Sequence, residues 1–280
     1  MIRVHNGGIE LATDVMGEPV RGTIVLAMGA TASMVWWPTS LVETLAAAGY
    51  QVIRFDHRDT GQSTTHAPGD VQYGVHHLAG DVMAILDAYG VHAAHLVGMS
   101  LGGYISQIAA LDHPTRVLSL TLIAAEPVGL AYAGEGIAPA ILDHFGKMAE
   151  LDWSDHHAVV EFLLRVAELS AGSAYPFDRV AAINRIELEL QRTGSMRSAF
   201  NHAMIAAELE PDLTACSLKM PVMVIHGSED PIISIAAAHK TQQAIPGSEL
   251  LVLDGRGHEL LEQDVPEIAR AILRACSRAG

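Results

Sequence analysis

Four short, almost unbroken apolar runs limit most strongly how this chain can fold. They are "TIVLAM" (23–28), "QVIRFD" (51–56), "AAHLVGM" (93–99) and "VLSLTLIAA" (117–125). A strand with one solvated face alternates polar and apolar residues, whereas runs like these suit strands buried on both faces. Between them lie stretches with apolar residues at helical spacing: "TSLVETLAAAG", "VHHLAGDVMAILDAYG" and "LGGYISQIAALDHP". Gly49 and Gly90 stand where helices end, and Pro114 stops the third. With "IELATDVMG" as a strand-like start, the first 125 residues read β-β-α-β-α-β-α-β. Strands alternating with helices of ten or more residues require crossover connections, and so an α/β fold with a mostly parallel sheet covered on both faces.

The rhythm breaks between 128 and 212. Helical patterns dominate there, in "PAILDHFGKMAEL", "SDHHAVVEFLLRVAEL" and "RVAAINRIELELQRTG", and 13 acidic residues face 6 basic ones. The α/β rhythm then resumes with "PVMVIHGSED", "SIAAAHKTQQAIPG", "SELLVLDGRGHE" and the helix "DVPEIARAILRACSRAG". Both flanks are needed to complete one sheet. The expectation is a core domain of residues 1–127 and 213–280 with a helical lid, 128–212, inserted into it.

One short string carries the chemistry. "GMSLG" (98–102) matches G-x-S-x-G and stands between the buried run "HLV" and the helix "LGGYISQIAA". In that setting the turn is tight enough to strain its central residue, and flanking glycines relieve the contacts. Ser100 is then held at a helix N-terminus, where free N–H groups favour developing negative charge. The competing reading is a plain serine N-cap. A nucleophilic serine needs a base and an orienting acid, in chain order Ser, acid, His on this fold. The loop after "VMVIHG" offers Glu229 and Asp230, and the loop after "LLVLDG" offers His258. Asp230, directly before Pro231, is the expected acid, with Glu229 as a solvated carboxylate and Asp254 as structural. The oxyanion needs two donors. The expected ones are the backbone N–H of Leu101 and that of Ala30, in the loop after the first buried run.

Composition narrows the partners. A net charge of −15 argues against nucleic acid and anionic membranes. The fifteen histidines are scattered without metal-ligand spacing, and no apolar run reaches bilayer-spanning length. Cys216 and Cys276, outside any C-x-x-C spacing, read as reduced thiols. With no signal-peptide pattern at the start, a cytoplasmic protein without metal or cofactor is expected.

The strings "VLAMGATASMVWWP", "VIRFDHRDTGQSTT", "HLVGMSLGGYISQIAALDHPTRVLSLTLI", "HGSEDPI" and "GRGHE" resemble the α/β-hydrolase superfamily, and within it the aclacinomycin methylesterase type of bacterial esterase. That branch carries "MG", as here at Met28 and Gly29, where wider relatives have His-Gly. The resemblance implies an α/β-hydrolase fold and a serine esterase acting on small esters, including a methyl ester on a bulky scaffold. It makes "DHRDTGQS" (56–63) a structural loop. Trp36 and Trp37 read as packing residues or as walls of the substrate pocket. Alternatives on the same three residues are perhydrolysis or halogenation, lactone hydrolysis and C–C bond hydrolysis. A non-catalytic receptor for a small molecule is a further one. The oligomeric state is not set by the sequence.

Overall fold

The computed structural model describes residues 2–206 and 213–279. It contains an eight-stranded sheet: β1 (Ile2–Asn6), β2 (Ile9–Met16), β3 (Thr23–Ala27), β4 (Gln51–Phe55), β5 (Ala94–Met99), β6 (Val117–Ile123), β7 (Val222–Gly227) and β8 (Glu249–Leu253). The spatial order is β1-β2-β4-β3-β5-β6-β7-β8. β2 runs opposite to the other seven strands, so its pairings with β1 and β4 are antiparallel and every pairing from β4 onward is parallel.

The apolar runs are buried on both faces, as their composition requires. Along β3, Val25 and Ala27 enter one core, and Ile24 and Leu26 enter the other. The first core is covered by α2 (Val75–Ala88), α3 (Leu101–Asp112) and α8 (Ile235–Ala244), through Leu78, Ile105 and Ala238. The second is covered by α1 (Thr39–Ala47) and α9 (Val265–Ser277), through Leu41, Ile268 and Ile272.

Between β6 and β7 the described residues form helices, chiefly α4 (Pro139–Gly146), α5 (His156–Ser170), α6 (Arg179–Arg192) and the single turn α7 (Met196–Ala199). Asp155 and Asp178 cap α5 and α6, accepting from the N–H groups of Ala158 and Ala181. Phe145, Trp153, Phe162 and Phe200 pack on one another. The end expected for this insertion, at 212, lies outside the described residues. Among the described residues no helix is long and apolar enough to cross a membrane, and both cysteines are free.

One strand escapes the periodicity. β1, "IRVHN", is an edge strand whose residues are largely exposed. It is joined to β2 by Gly7 and Gly8, both at positive φ. A two-residue loop of that kind matches strand twist, and the "NGG" string is its local signal.

Candidate active site

Ser100 sits where β5 becomes α3, with φ 51° and ψ −119°. A non-glycine residue rarely adopts that conformation, and strain of this kind persists only where the surroundings fix it. The surroundings here are two backbone hydrogen bonds and three glycines. Ser100 N–H donates to Ile123 O at 2.9 Å, and Tyr104 N–H donates to Ser100 O at 3.0 Å. A methyl at Gly98 would run into the Gly102 carbonyl, and one at Gly102 into the Ala27 carbonyl. A methyl at Gly103 would stand 2.5 Å from Ala125 Cβ, so this glycine is required for α3 to pack against the end of β6. Ser100 makes no side-chain cap bond to the helix it begins, so it does not act as a plain N-cap.

The two other expected residues meet. His258 Nδ1 lies 2.7 Å from Asp230 Oδ2, which leaves Nε2 for chemistry. Asp230 is buried, and its Oδ1 accepts from the N–H groups of Ile232 at 2.8 Å and Ile233 at 2.9 Å. Burial alone would raise its pKa, but the hydrogen bond and charge of His258, and the Ile233 N–H, outweigh it and hold the carboxyl below the usual range. Ser100, Asp230 and His258 follow the carboxyl ends of β5, β7 and β8 and so share one edge of the sheet. No hydrogen bond closes Ser100 onto His258 among the described residues; such pairs often tighten only with substrate bound.

The loop after β3 lies against the serine. A methyl at Gly29 would sit 3.3 Å from Ser100 Cβ and 3.9 Å from Oγ. Neither the Ala30 nor the Leu101 N–H donates to any group among the described residues. Ala30 is exposed and Leu101 half-buried.

Several neighbours could not be read from the sequence. His258 N–H donates to Ser170 O at 2.8 Å, at the end of α5. Glu229 is an exposed loop carboxylate, as expected, and it accepts from Ser173 N–H and Oγ, both at 2.8 Å. Asp254 accepts from Ser228 Oγ, in keeping with a structural part. His226 Nε2 donates to Ile233 O at 2.7 Å and stands 3.4 Å from Asp230 Oδ2. The "DHRDTGQS" loop is buried and bonded inward: Asp56 accepts from the N–H groups of Met34 and Gln62 and from Arg192.

The two tryptophans part company. Trp37 is 1% exposed, in the core that holds Met28, Leu41 and Ile225, where it packs rather than lining an opening. Trp36 is half-buried and donates from Nε1 to Glu189 at 2.9 Å, with the Arg185 guanidinium over its ring. Among the described residues no three His, Cys, Asp or Glu side chains are gathered as a metal site.

A serine at a strained strand–helix turn and a partly buried Asp–His pair thus stand at the carboxyl ends of parallel strands of one sheet. A family model described as the alpha/beta hydrolase fold matches residues 22–265, and the chain belongs to that family. A rhodomycin D methylesterase from a Streptomyces species is 33% identical over 267 residues, covering 90% of each chain. A provisionally named carbamate hydrolase from Variovorax paradoxus is 39% identical over 268 residues, covering 95% of this chain and 96% of its own. The solved structure of an esterase from a Rhodococcus species overlays with a TM-score of 0.78 at 24% identity, covering 99% of this chain and 98% of that one. That last likeness concerns the fold alone.

Proposed function

We propose that this protein hydrolyses carboxylic esters through an acyl-enzyme formed on Ser100. As Ser100 Oγ attacks the carbonyl carbon, its proton passes to His258 Nε2. Asp230 stays ionised, fixes the tautomer with the proton on Nδ1, and stabilises the imidazolium. The carbonyl oxygen becomes an oxyanion and is received by the N–H groups of Ala30 and Leu101. The imidazolium then protonates the departing alcohol. A water molecule, deprotonated by His258, attacks the acyl carbon and frees the acid and Ser100.

The observation that carries this reading is the Asp230–His258 pair at 2.7 Å, on the same sheet edge as a serine at φ 51°. The substrate proposed is a small or methyl ester, supported by the likeness to a methylesterase. In this reading residues 128–212 form a lid over a core of residues 1–127 and 213–280. No metal or cofactor is called for. The test is turnover of p-nitrophenyl acetate and butyrate. Wild type should release p-nitrophenol, and Ser100→Ala should fall to the rate of buffer; equal rates in both refute the assignment.

A further inference from the structure

The loop that carries Ala30 is held from outside, by two buried side chains of the helical segment between β6 and β7. His202, 6% exposed, accepts the Thr31 N–H on Nδ1 at 3.0 Å. Its Nε2 donates to Arg58 O at 2.8 Å. Both bonds fit one neutral tautomer, with the proton on Nε2 and the lone pair on Nδ1 aimed at the loop. Glu189, 2% exposed on α6, gathers three donors on Oε2: Ser33 N–H at 3.0 Å, Ser33 Oγ at 2.6 Å and Trp36 Nε1 at 2.9 Å.

The bond from His202 falls at a sensitive place. Thr31 has φ 65°, a left-handed conformation that a β-branched residue rarely adopts. The peptide between Ala30 and Thr31 is therefore turned against local preference, and its N–H points into the ring of His202. The preceding peptide carries the Ala30 N–H, which donates to nothing among the described residues. The two peptides share the Ala30 Cα and are separated only by its φ and ψ, so fixing one narrows the orientations open to the one before it. Met28 O, just upstream, is held by His57 Nε2 at 2.9 Å, and Met34 N–H, just downstream, by Asp56 Oδ1 at 2.8 Å. The stretch is thus anchored at both ends by core residues and at its centre by His202 and Glu189.

We infer that His202, with Glu189 holding Ser33 further along the same loop, is a positioning residue for the oxyanion donor: it orients the Ala30 N–H through its hydrogen bond to Thr31. Neither side chain touches the reacting atoms. The inference rests on the ester-hydrolase reading, and it goes further by assigning part of transition-state stabilisation to residues outside the hydrolase core. It also makes this helical segment more than a cover, because its docking completes the site.

Two substitutions separate this role from simple anchoring of the segment. In His202→Asn the side-chain oxygen falls near the place of Nδ1, so the Thr31 bond survives and the Arg58 bond is lost. In His202→Gln the amide reaches the place of Nε2, so the Arg58 bond survives and the Thr31 bond is lost. Misplacing a catalytic donor by about 1 Å costs on the order of 100-fold, and losing one outright costs about 100- to 1000-fold. His202→Gln should therefore lose between about 10- and 100-fold in kcat on p-nitrophenyl butyrate with KM little changed. Affinity for a trifluoromethyl ketone, whose tetrahedral adduct carries the same oxyanion, should fall in parallel. His202→Asn should keep kcat within a few-fold of wild type.

Equal kcat in both variants and wild type overturns the inference while leaving the ester-hydrolase reading intact. So does a loss in both that follows their thermal stability. A wild type without Ser100-dependent turnover overturns the hydrolase reading instead, and this inference with it. Should the variants not fold, the tautomer of His202 in the wild-type protein decides. Nitrogen NMR of histidine-labelled protein should show Nδ1 unprotonated and hydrogen-bonded, and a proton on Nδ1 overturns the inference.

Discussion

Replacing Asp230 with asparagine tests the acid–histidine pair with almost no change in shape. Asp230 Oδ1 is committed to two backbone donors, Ile232 N–H at 2.8 Å and Ile233 N–H at 2.9 Å. In Asp230→Asn the amide oxygen must take that place, because the NH2 group cannot accept. The NH2 group then faces His258 Nδ1, where the carboxylate oxygen stood at 2.7 Å. Nδ1 must now accept, so the proton moves to Nε2, and His258 can no longer receive the proton of Ser100. An inverted tautomer of this kind lowers kcat by about 10,000-fold in a serine protease, equivalent to about 5.5 kcal/mol in the barrier. The expected loss here is 1,000- to 10,000-fold, about 4 to 5.5 kcal/mol. The assay is p-nitrophenyl butyrate turnover at pH 7.5, with circular dichroism to show an unchanged fold. Glu229→Gln, at a side chain whose hydrogen bonds go to Ser173, should stay within a few-fold of wild type. Asp230→Asn retaining activity within tenfold of wild type would refute the assignment of the acid.

Two further predictions concern stability. Gly103→Ala gains helix propensity worth about 1 kcal/mol but puts a methyl 2.5 Å from Ala125 Cβ. The same methyl would stand 2.9 Å from the Gly98 carbonyl oxygen. Overpacking of this kind costs about 1 to 3 kcal/mol, so urea unfolding should show a net loss that Ala125→Gly relieves only in part; a gain in stability would contradict the packing account. Burial, opposed by the Ser33 and Trp36 donors, raises the pKa of Glu189. A carboxyl with a raised folded-state pKa binds its proton more tightly when folded. Its contribution is therefore full below the unfolded value near 4.3 and is lost as pH rises through the folded one. Relative to wild type, Glu189→Gln should gain stability between pH 4 and 7 in denaturant titrations, and a difference independent of pH would contradict this.

What the sequence made legible follows the range of the interactions involved. The buried strands could be read because burial on both faces leaves a continuous apolar run, as in Thr23–Ala27. Ser100 and Asp230 were legible because each follows a fully buried apolar run closely, and His258 because it follows the apolar stretch "LLVL", although that strand is only partly buried. β1 was missed because an exposed edge strand needs no apolar pattern, although "NGG" marked its turn. The bonds from Glu189 to Ser33 and from His202 to Thr31 span 156 and 171 residues, and no local period encodes them. One local sign of Glu189 exists: it lies three residues after Ile186, so a charged residue falls on the buried stripe of α6.

The central claim is that Ser100 is the nucleophile, activated by its partners. The most direct measurement is intact-mass and peptide mapping of protein treated with a fluorophosphonate. The account predicts a single adduct, on the peptide containing Ser100. The adduct should be absent from Ser100→Ala and form far more slowly in His258→Ala. A folded wild-type protein that remains unlabelled at Ser100, or that labels equally fast without His258, would contradict it.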